Sequence, residues 1–393
     1  MGFELNTYSV FLLLPFSQAV LFGILLICKT GDRFRIPNLL LGTILLMISI
    51  KIAYWMLGFA GWYDSHDSYT SFMFYFPFNT ICLIGPLIYF YFLSATNQNF
   101  KFEKKHLNHL WLPIIWATVI FGKLLLDYIL YFPFPNSPDT QFGTKGPLAE
   151  IDKTMFFILM SYGSLVYYLF LTFKSLYAYK QYAIQNLSSL ENLDFEWLRN
   201  ILLALSSGLA LMFIYQLINW VTPLSYRADW YSYMFLGILV YYLGIKGYMF
   251  QRANKPALYF TQIEKIDDDQ SHEPKVFLDL PIRMQELTQL LDQQKPYLIS
   301  ELTLTQLASM MMLNSGLLSR VINVGYNLNF NDFINGYRIK EVLAKIDDQQ
   351  HKKVTLLGIA LDSGFNSKAT FNRAFKKQMR ITPIEYIKSL EKG

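Results

Sequence analysis

Residues 354–386 read VTLLGIALDSGFNSKATFNRAFKKQMRITPIEY, and their spacing decides the architecture of the carboxyl-terminal part. Between Thr355 and Asp362, Leu356, Leu357, Ile359 and Ala360 turn inward with helical period. Gly364 follows, where the chain must reverse and a positive φ is needed. Phe365 staples that turn to the core. A second helix then runs from Ser367 to about Met379, with Phe371 and Phe375 at i, i+4 facing inward. Thr382-Pro383 stops it and starts a last helix, since proline is tolerated in a first turn. The pattern is a helix-turn-helix.

Upstream the composition is very different. The 393 residues are 53% hydrophobic and 17% aromatic, and 16% are charged, against roughly 25% in an ordinary soluble domain. Mean hydropathy is +0.25. Lipid is the solvent such a chain requires. Cys28 and Cys82, the only cysteines, lie in apolar runs, which excludes a disulfide framework or a zinc spacing. The first apolar run precedes basic residues and has no small-residue cleavage site, so it reads as a span rather than a signal peptide.

Seven apolar stretches are long enough to cross a hydrocarbon core as helices: 10–28, 38–59, 72–93, 110–131, 155–177, 200–221 and 231–249. Basic residues orient them. Lys29, Arg33, Arg35, Lys101, Lys104, Lys105, Lys174, Lys180, Arg199, Lys246, Arg252 and Lys255 border one side, while the other carries Lys145, Lys153 and Arg227. The richer side is cytoplasmic by the positive-inside rule. An external amino terminus, an internal carboxyl terminus and a multi-pass membrane location are therefore expected. Residues 1–250 form the spanning domain. Residues 251–283, with Pro256, Pro274, Pro281 and the Asp267–Asp269 cluster, read as a linker. The soluble remainder, 284–393, is all-helical.

An earlier helix-turn-helix precedes the one first quoted. Thr303–Met312 makes its first helix, Leu313 and Asn314 the turn, and Ser315 caps a second helix to Val324; a long helix, Asn331–Ile346, joins the units. G-F-x-S-x-x-x-F-x-R-x-F-K-K over Gly364–Lys377, then T-P-x-x-Y over Thr382–Tyr386, resembles the AraC/XylS family of bacterial regulators. Leu302-Thr303, Leu307-Ala308, Leu318-Ser319-Arg320 and Tyr337-Arg338-Ile339 are consistent with it. A multi-span region ahead of such a domain also resembles a group of Bacteroidetes-type regulators, which implies a bacterial inner-membrane location.

That resemblance implies double-stranded DNA as partner, with the two second helices entering successive major grooves. Carried onto this chain, the first would present Ser315, Gly316, Ser319 and Arg320, and the second Asn366, Ser367, Lys368, Thr370 and Arg373. Lys376, Lys377 and Arg380 are placed as phosphate clamps. Residues 284–350 hold five Lys/Arg against seven Asp/Glu, while 351–393 hold nine against three. Where the family has basic residues after the first unit's Arg, this chain has Val321, Ile322 and Asn323, so the second unit should supply most of the affinity.

Lys51, Lys123 and Asp127 are ionisable groups well inside spans, which is costly in lipid. They read either as a pocket for an anionic small-molecule ligand, or as an internal Lys123–Asp127 pair with a snorkelling Lys51. Gly85-Pro86 reads as a kink or a packing contact, with a gate as the alternative, and the 132–154 loop as a cap over a ligand site or as a simply mobile connection. His66, His106, His109, His272 and His351 have no metal-ligand spacing, and Ser161, Ser164, Ser206 and Ser207 have no paired histidine or nucleophile elbow. No cofactor or enzymatic activity is expected. The expected fold class is all-α, a seven-helix membrane bundle plus a cytoplasmic double helix-turn-helix. The expected function is a one-component membrane-bound transcriptional regulator, with a homodimer and RNA polymerase as further candidate partners. The competing reading is a transport or scaffold protein with a protein-docking tail.

Overall fold

The computed structural model describes residues 4–29, 35–97, 100–134, 143–190, 195–222, 224–249 and 273–390. Among these the chain is helical, with one isolated antiparallel bridge between Leu187 and Thr303. It divides into two compact units: Met1–Leu176 with Glu196–Gln251, and Tyr177–Phe195 with Arg252–Gly393.

The first unit contains α1 (Thr7–Cys28), α2 (Arg35–Phe59), the short α3 (Ser68–Met73), α4 (Ile81–Thr96), α5 (Trp111–Tyr131), most of α6 (Met155–Asn186), α7 (Phe195–Val221) and α8 (Tyr226–Met249). Asn6 caps α1 by accepting the Ser9 amide at 3.1 Å, and the Ser9 hydroxyl accepts the Asn6 amide at 2.9 Å. α1 packs on α2 and α8, and α2 also packs on α4. Leu12, Ala19 and Leu26 of α1 and Leu41, Leu45, Ile48 and Ile52 of α2 are buried.

Among the described residues, α1, α2, α5, α6 and α7 are the five helices long and apolar enough to cross a membrane. Two expected spans differ. The stretch 72–93 is not one helix, because residues 77–80 leave the helical conformation. Pro77 lacks an amide hydrogen and biases Phe76 away from the helical region. What remains is α4, whose 16 residues reach about 24 Å at about 1.5 Å per residue, short of a core about 30 Å thick. The last stretch does form α8, but its six tyrosines and three glycines dilute its apolar character. Gly85 is a packing contact: a Cβ there would lie 3.0 Å from the Tyr168 ring.

The second unit is built from α9 (Glu273–Gln294), α10 (Leu304–Met310), α11 (Ser315–Arg320), α12 (Phe330–Asp347), α13 (Leu356–Asp362), α14 (Lys368–Met379) and α15 (Pro383–Leu390), together with the end of α6. The expected linker falls largely on 250–272, outside the described residues, but its last residues belong to α9. That helix has an apolar face to bury: Leu287 and Leu291 enter the core of the first helix-turn-helix with Leu307, Leu318, Val321, Ile322 and Phe333. A second core holds Ile339, Val342, Ile346, Ile359, Ala360, Phe365, Phe371 and Phe375. α12 feeds both, giving Phe330, Phe333 and Ile334 to one and Ile339, Val342 and Ile346 to the other.

Candidate nucleic-acid interface and candidate ligand cavity

α14 is positioned by its own sequence. The Ser367 hydroxyl accepts the amides of Ala369 at 3.1 Å and Thr370 at 3.3 Å, capping the helix. Phe371 and Phe375 anchor one face, with Phe371 edge-on to both Phe365 and Phe375. Lys368, Asn372, Arg373 and Lys376 are left exposed on the outside. The turn before it depends on Gly364 at φ +90°, where a Cβ would sit 2.4 Å from the Tyr297 carbonyl oxygen.

The candidate residues separate on this geometry. Lys368, Arg373, Lys376 and Arg380 are exposed, and Asn366 lies at the helix entry, half-buried. Thr370 is 9% exposed, and the Ser367 hydroxyl is engaged as a cap, so neither side chain is presented as base-reading would require. Lys377 is exposed but forms an ion pair with Asp332 of α12 at 2.7 Å. Asn372 was not anticipated; it stands beside Arg373, where its amide can serve a base edge.

In the first helix-turn-helix, Asn314 rather than Ser315 caps α11, accepting the Leu317 amide at 2.7 Å. An Asn side chain is an equally good acceptor one residue earlier. Gly316 is exposed, and Ser315, Ser319 and Arg320 are half-buried. α11 continues into a wide turn at Val321–Gly325, in which Val321 and Ile322 are core residues and Asn323 faces solvent. The missing positive charge after Arg320 thus coincides with apolar packing. The basic surface belongs to the second helix-turn-helix.

The three ionisable groups of the spans are not gathered into one pocket. Lys123 is 4% exposed and donates to the Ala149 carbonyl at 2.8 Å and to Asp152, both in the loop before α6. Asp127 accepts the Tyr75 hydroxyl at 2.7 Å and the Leu148 amide at 3.0 Å. Together they pin the described end of that loop, and the Gly146 amide adds a bond to Tyr75 at 3.0 Å. Asp127 is therefore engaged by Tyr75 and by the loop, and Lys123 pairs with Asp152.

Lys51 instead lines a cavity of about 400 Å³ within the first unit, whose other lining residues include Tyr54, Trp55, Phe78, Asn79, Asp152, Tyr162, Tyr215, Asp229 and Tyr233. Aromatic walls with a few polar groups are what small-ligand sites require. Nothing in the sequence connects Asp152 or Asp229 to Lys51, since each comes from a distant segment.

A family model described as a helix-turn-helix domain matches residues 307–389. No curated protein and no solved structure matches the chain. Residues 307–389 are accordingly an AraC-type helix-turn-helix domain, a DNA-binding and regulatory family rather than an enzymatic one.

Proposed function

We propose that this chain is a membrane-embedded transcriptional regulator that reads promoter DNA with its second unit and senses a ligand with its first. The observation that carries the reading is the outer face of α14. Arg373, Lys368, Lys376 and Asn372 are exposed together on a helix locked from behind by Phe371 and Phe375. Such a face can enter a major groove, with Arg373 reading a guanine or gripping a phosphate and the lysines holding the backbone. The membrane reading is supported by the first unit's apolar exterior. Phe121, Ile129, Val166, Phe170, Trp220 and Ile238 are each more than half exposed, and leaving so much apolar surface in water would be costly.

The cavity around Lys51 supports a sensing role for the bundle. Among the described lining residues Lys51 is the one cation, and Asp152, which shares the lining, is already engaged by Lys123. A small molecule with an apolar or aromatic body and an anionic group fits that lining. A cytoplasmic second unit follows from the arrangement of the basic loops, and pairing of two chains in the membrane plane would raise the effective concentration of a second reading head.

The test uses the full chain in lipid nanodiscs, incubated with fragments of the genome that encodes it. Selective retention of a few fragments, weakened by salt and relaxed or lost in Arg373→Ala, is expected. Retention of protein partners but no DNA at low salt would favour the docking-tail reading instead.

A further inference from the structure

Among the described residues Arg338 is the largest fully buried side chain, and none of its hydrogen-bond partners there is a carboxylate. It sits on α12 between Ile334, which enters one core, and Ile339, which enters the other. Its Nε donates to the Tyr297 carbonyl at 2.8 Å, and its Nη2 to those of Ile299 at 2.8 Å and Ser300 at 3.2 Å. The guanidinium carbon lies 5.9 Å from the centre of the Phe365 ring. One side chain thus ties the start of the first helix-turn-helix to the turn of the second. Burial lowers its pKa to about 10, so it remains charged at neutral pH.

Two acceptors of this charge come from elsewhere in the sequence. Nη1 donates to the Ser188 carbonyl at 3.2 Å and Nη2 to the Ser188 hydroxyl at 3.0 Å. The Ser188 amide donates to the Leu302 carbonyl at 3.1 Å, and Leu187 makes the antiparallel bridge with Thr303. Asn331 donates its side-chain amide to the carbonyls of Leu187 at 3.1 Å and Ser188 at 2.9 Å. Leu187 and Ser188 are both buried here. They directly follow α6, a helix of 32 residues. At about 1.5 Å per residue it reaches about 48 Å, well beyond a hydrocarbon core of about 30 Å.

We infer that Leu187–Ser188 is an internal effector segment, and that its docking beside Arg338 sets the DNA affinity of the two reading units. A guanidinium has five N–H donors that must all be satisfied when buried. With the segment docked, the seam between the two cores is complete and the reading helices are held in one relative placement. With it withdrawn, Arg338 loses two acceptors and the seam must rearrange or admit water. The surface is specific to an extended two-residue segment, because its acceptors and donors at Leu302, Thr303 and Asn331 all meet backbone groups. Movement of α6 along or about its axis is then communicated to the DNA reader through a hydrogen-bonded plug rather than through the 251–283 segment.

This inference rests on the DNA-binding reading above, and the test separates the two. Full-length protein in nanodiscs, with Cys28 and Cys82 replaced by serine, is titrated with DNA fragments retained by the parent. Asn331→Asp keeps the acceptor used by Asn335 but sets a carboxylate against two carbonyl oxygens; Ser188→Pro removes the amide that Leu302 accepts. Each should weaken DNA binding by about 5-fold or more, the usual lower range of coupling between sites, and the double variant should be no worse than the weaker single. Leu187→Cys with Thr303→Cys, at the spacing of a bridged antiparallel pair, should form a disulfide. In the Asn331→Asp background, oxidation should restore affinity and reduction should remove it again. Added negative charge or a misfolded reader would not be rescued in that way. Parent binding with unchanged affinity in both single variants, or failure of the cysteine pair to close, would overturn the inference while leaving the DNA reader intact. Absence of DNA binding by the parent would sink both.

Discussion

Lys377 of α14 reaches Asp332 at the start of α12, with 2.7 Å between ammonium and carboxylate. The lysine remains 66% exposed, so the pair is screened and cheap to break. DNA phosphates would compete with Asp332 for the same cation. Replacing Asp332 by Asn keeps the side chain's shape and releases Lys377. Affinity for DNA should rise several-fold, and the slope of log K against log salt should steepen by about 0.9, one phosphate contact's worth. An unchanged slope would place Lys377 outside the interface.

Gly364 holds φ at +90°, with the Tyr297 carbonyl oxygen 2.4 Å and Arg338 Nε 3.0 Å from where a Cβ would be. Left-handed backbone alone costs a non-glycine residue about 1–2 kcal/mol, and here the neighbours are backbone and a saturated guanidinium. Gly364→Ala should therefore lower the stability of the second unit by at least about 2 kcal/mol. Hydrogen exchange at α13 and α14 amides reads this directly, and protection equal to the parent's would contradict the packing described.

The second helix-turn-helix was legible because its determinants are local. Gly364, Phe365, Phe371 and Phe375 lie within a dozen residues, and helical period alone places Phe371 and Phe375 on one face. The cap of α11 was missed by one residue, since Asn314 and Ser315 are both good caps and only geometry chooses. Lys123 and Asp127 look like a helical i, i+4 pair, yet each finds its partners across the loop, Lys123 at Asp152 and Asp127 at Tyr75 and Leu148. The break at Pro77 was signalled by the proline but masked by the apolar residues around it. Ser188 and Arg338 are 150 residues apart, and no periodicity reports such a contact.

The cavity at Lys51 makes a separable prediction. Phenylacetate and phenethylamine share an aromatic body and differ in the sign of the head group. Phenylacetate at millimolar concentration should raise the thermal unfolding midpoint of the full chain in nanodiscs, by mass action on the folded state. Lys51→Gln should abolish that rise. Asp127→Asn should retain it, because Asp127 braces the loop and does not line the cavity. A larger rise with the amine than with the acid would reverse the proposed polarity, making Asp229 the anchor.

Glu341 on α12 accepts from Lys295 at 3.0 Å and from the Tyr297 hydroxyl at 3.1 Å. Burial on its own pushes the carboxyl pKa up, but these two hydrogen bonds and the Lys295 and Lys345 charges outweigh it and hold the value below the ordinary 4.5. A pKa lower in the folded than in the unfolded chain means that the carboxylate stabilises the fold above pH 4.5. That contribution is lost as pH falls through the depressed folded value. Hydrogen-exchange protection of α12 should therefore decline more steeply between pH 5 and 3, about the carboxylate range, in the parent than in Glu341→Gln. At neutral pH the variant should be less stable by about 0.5–1 kcal/mol, the scale of a partly exposed ion pair. Parallel pH profiles for the two proteins would mean that Lys295 and Tyr297 do not hold the carboxylate in the folded state.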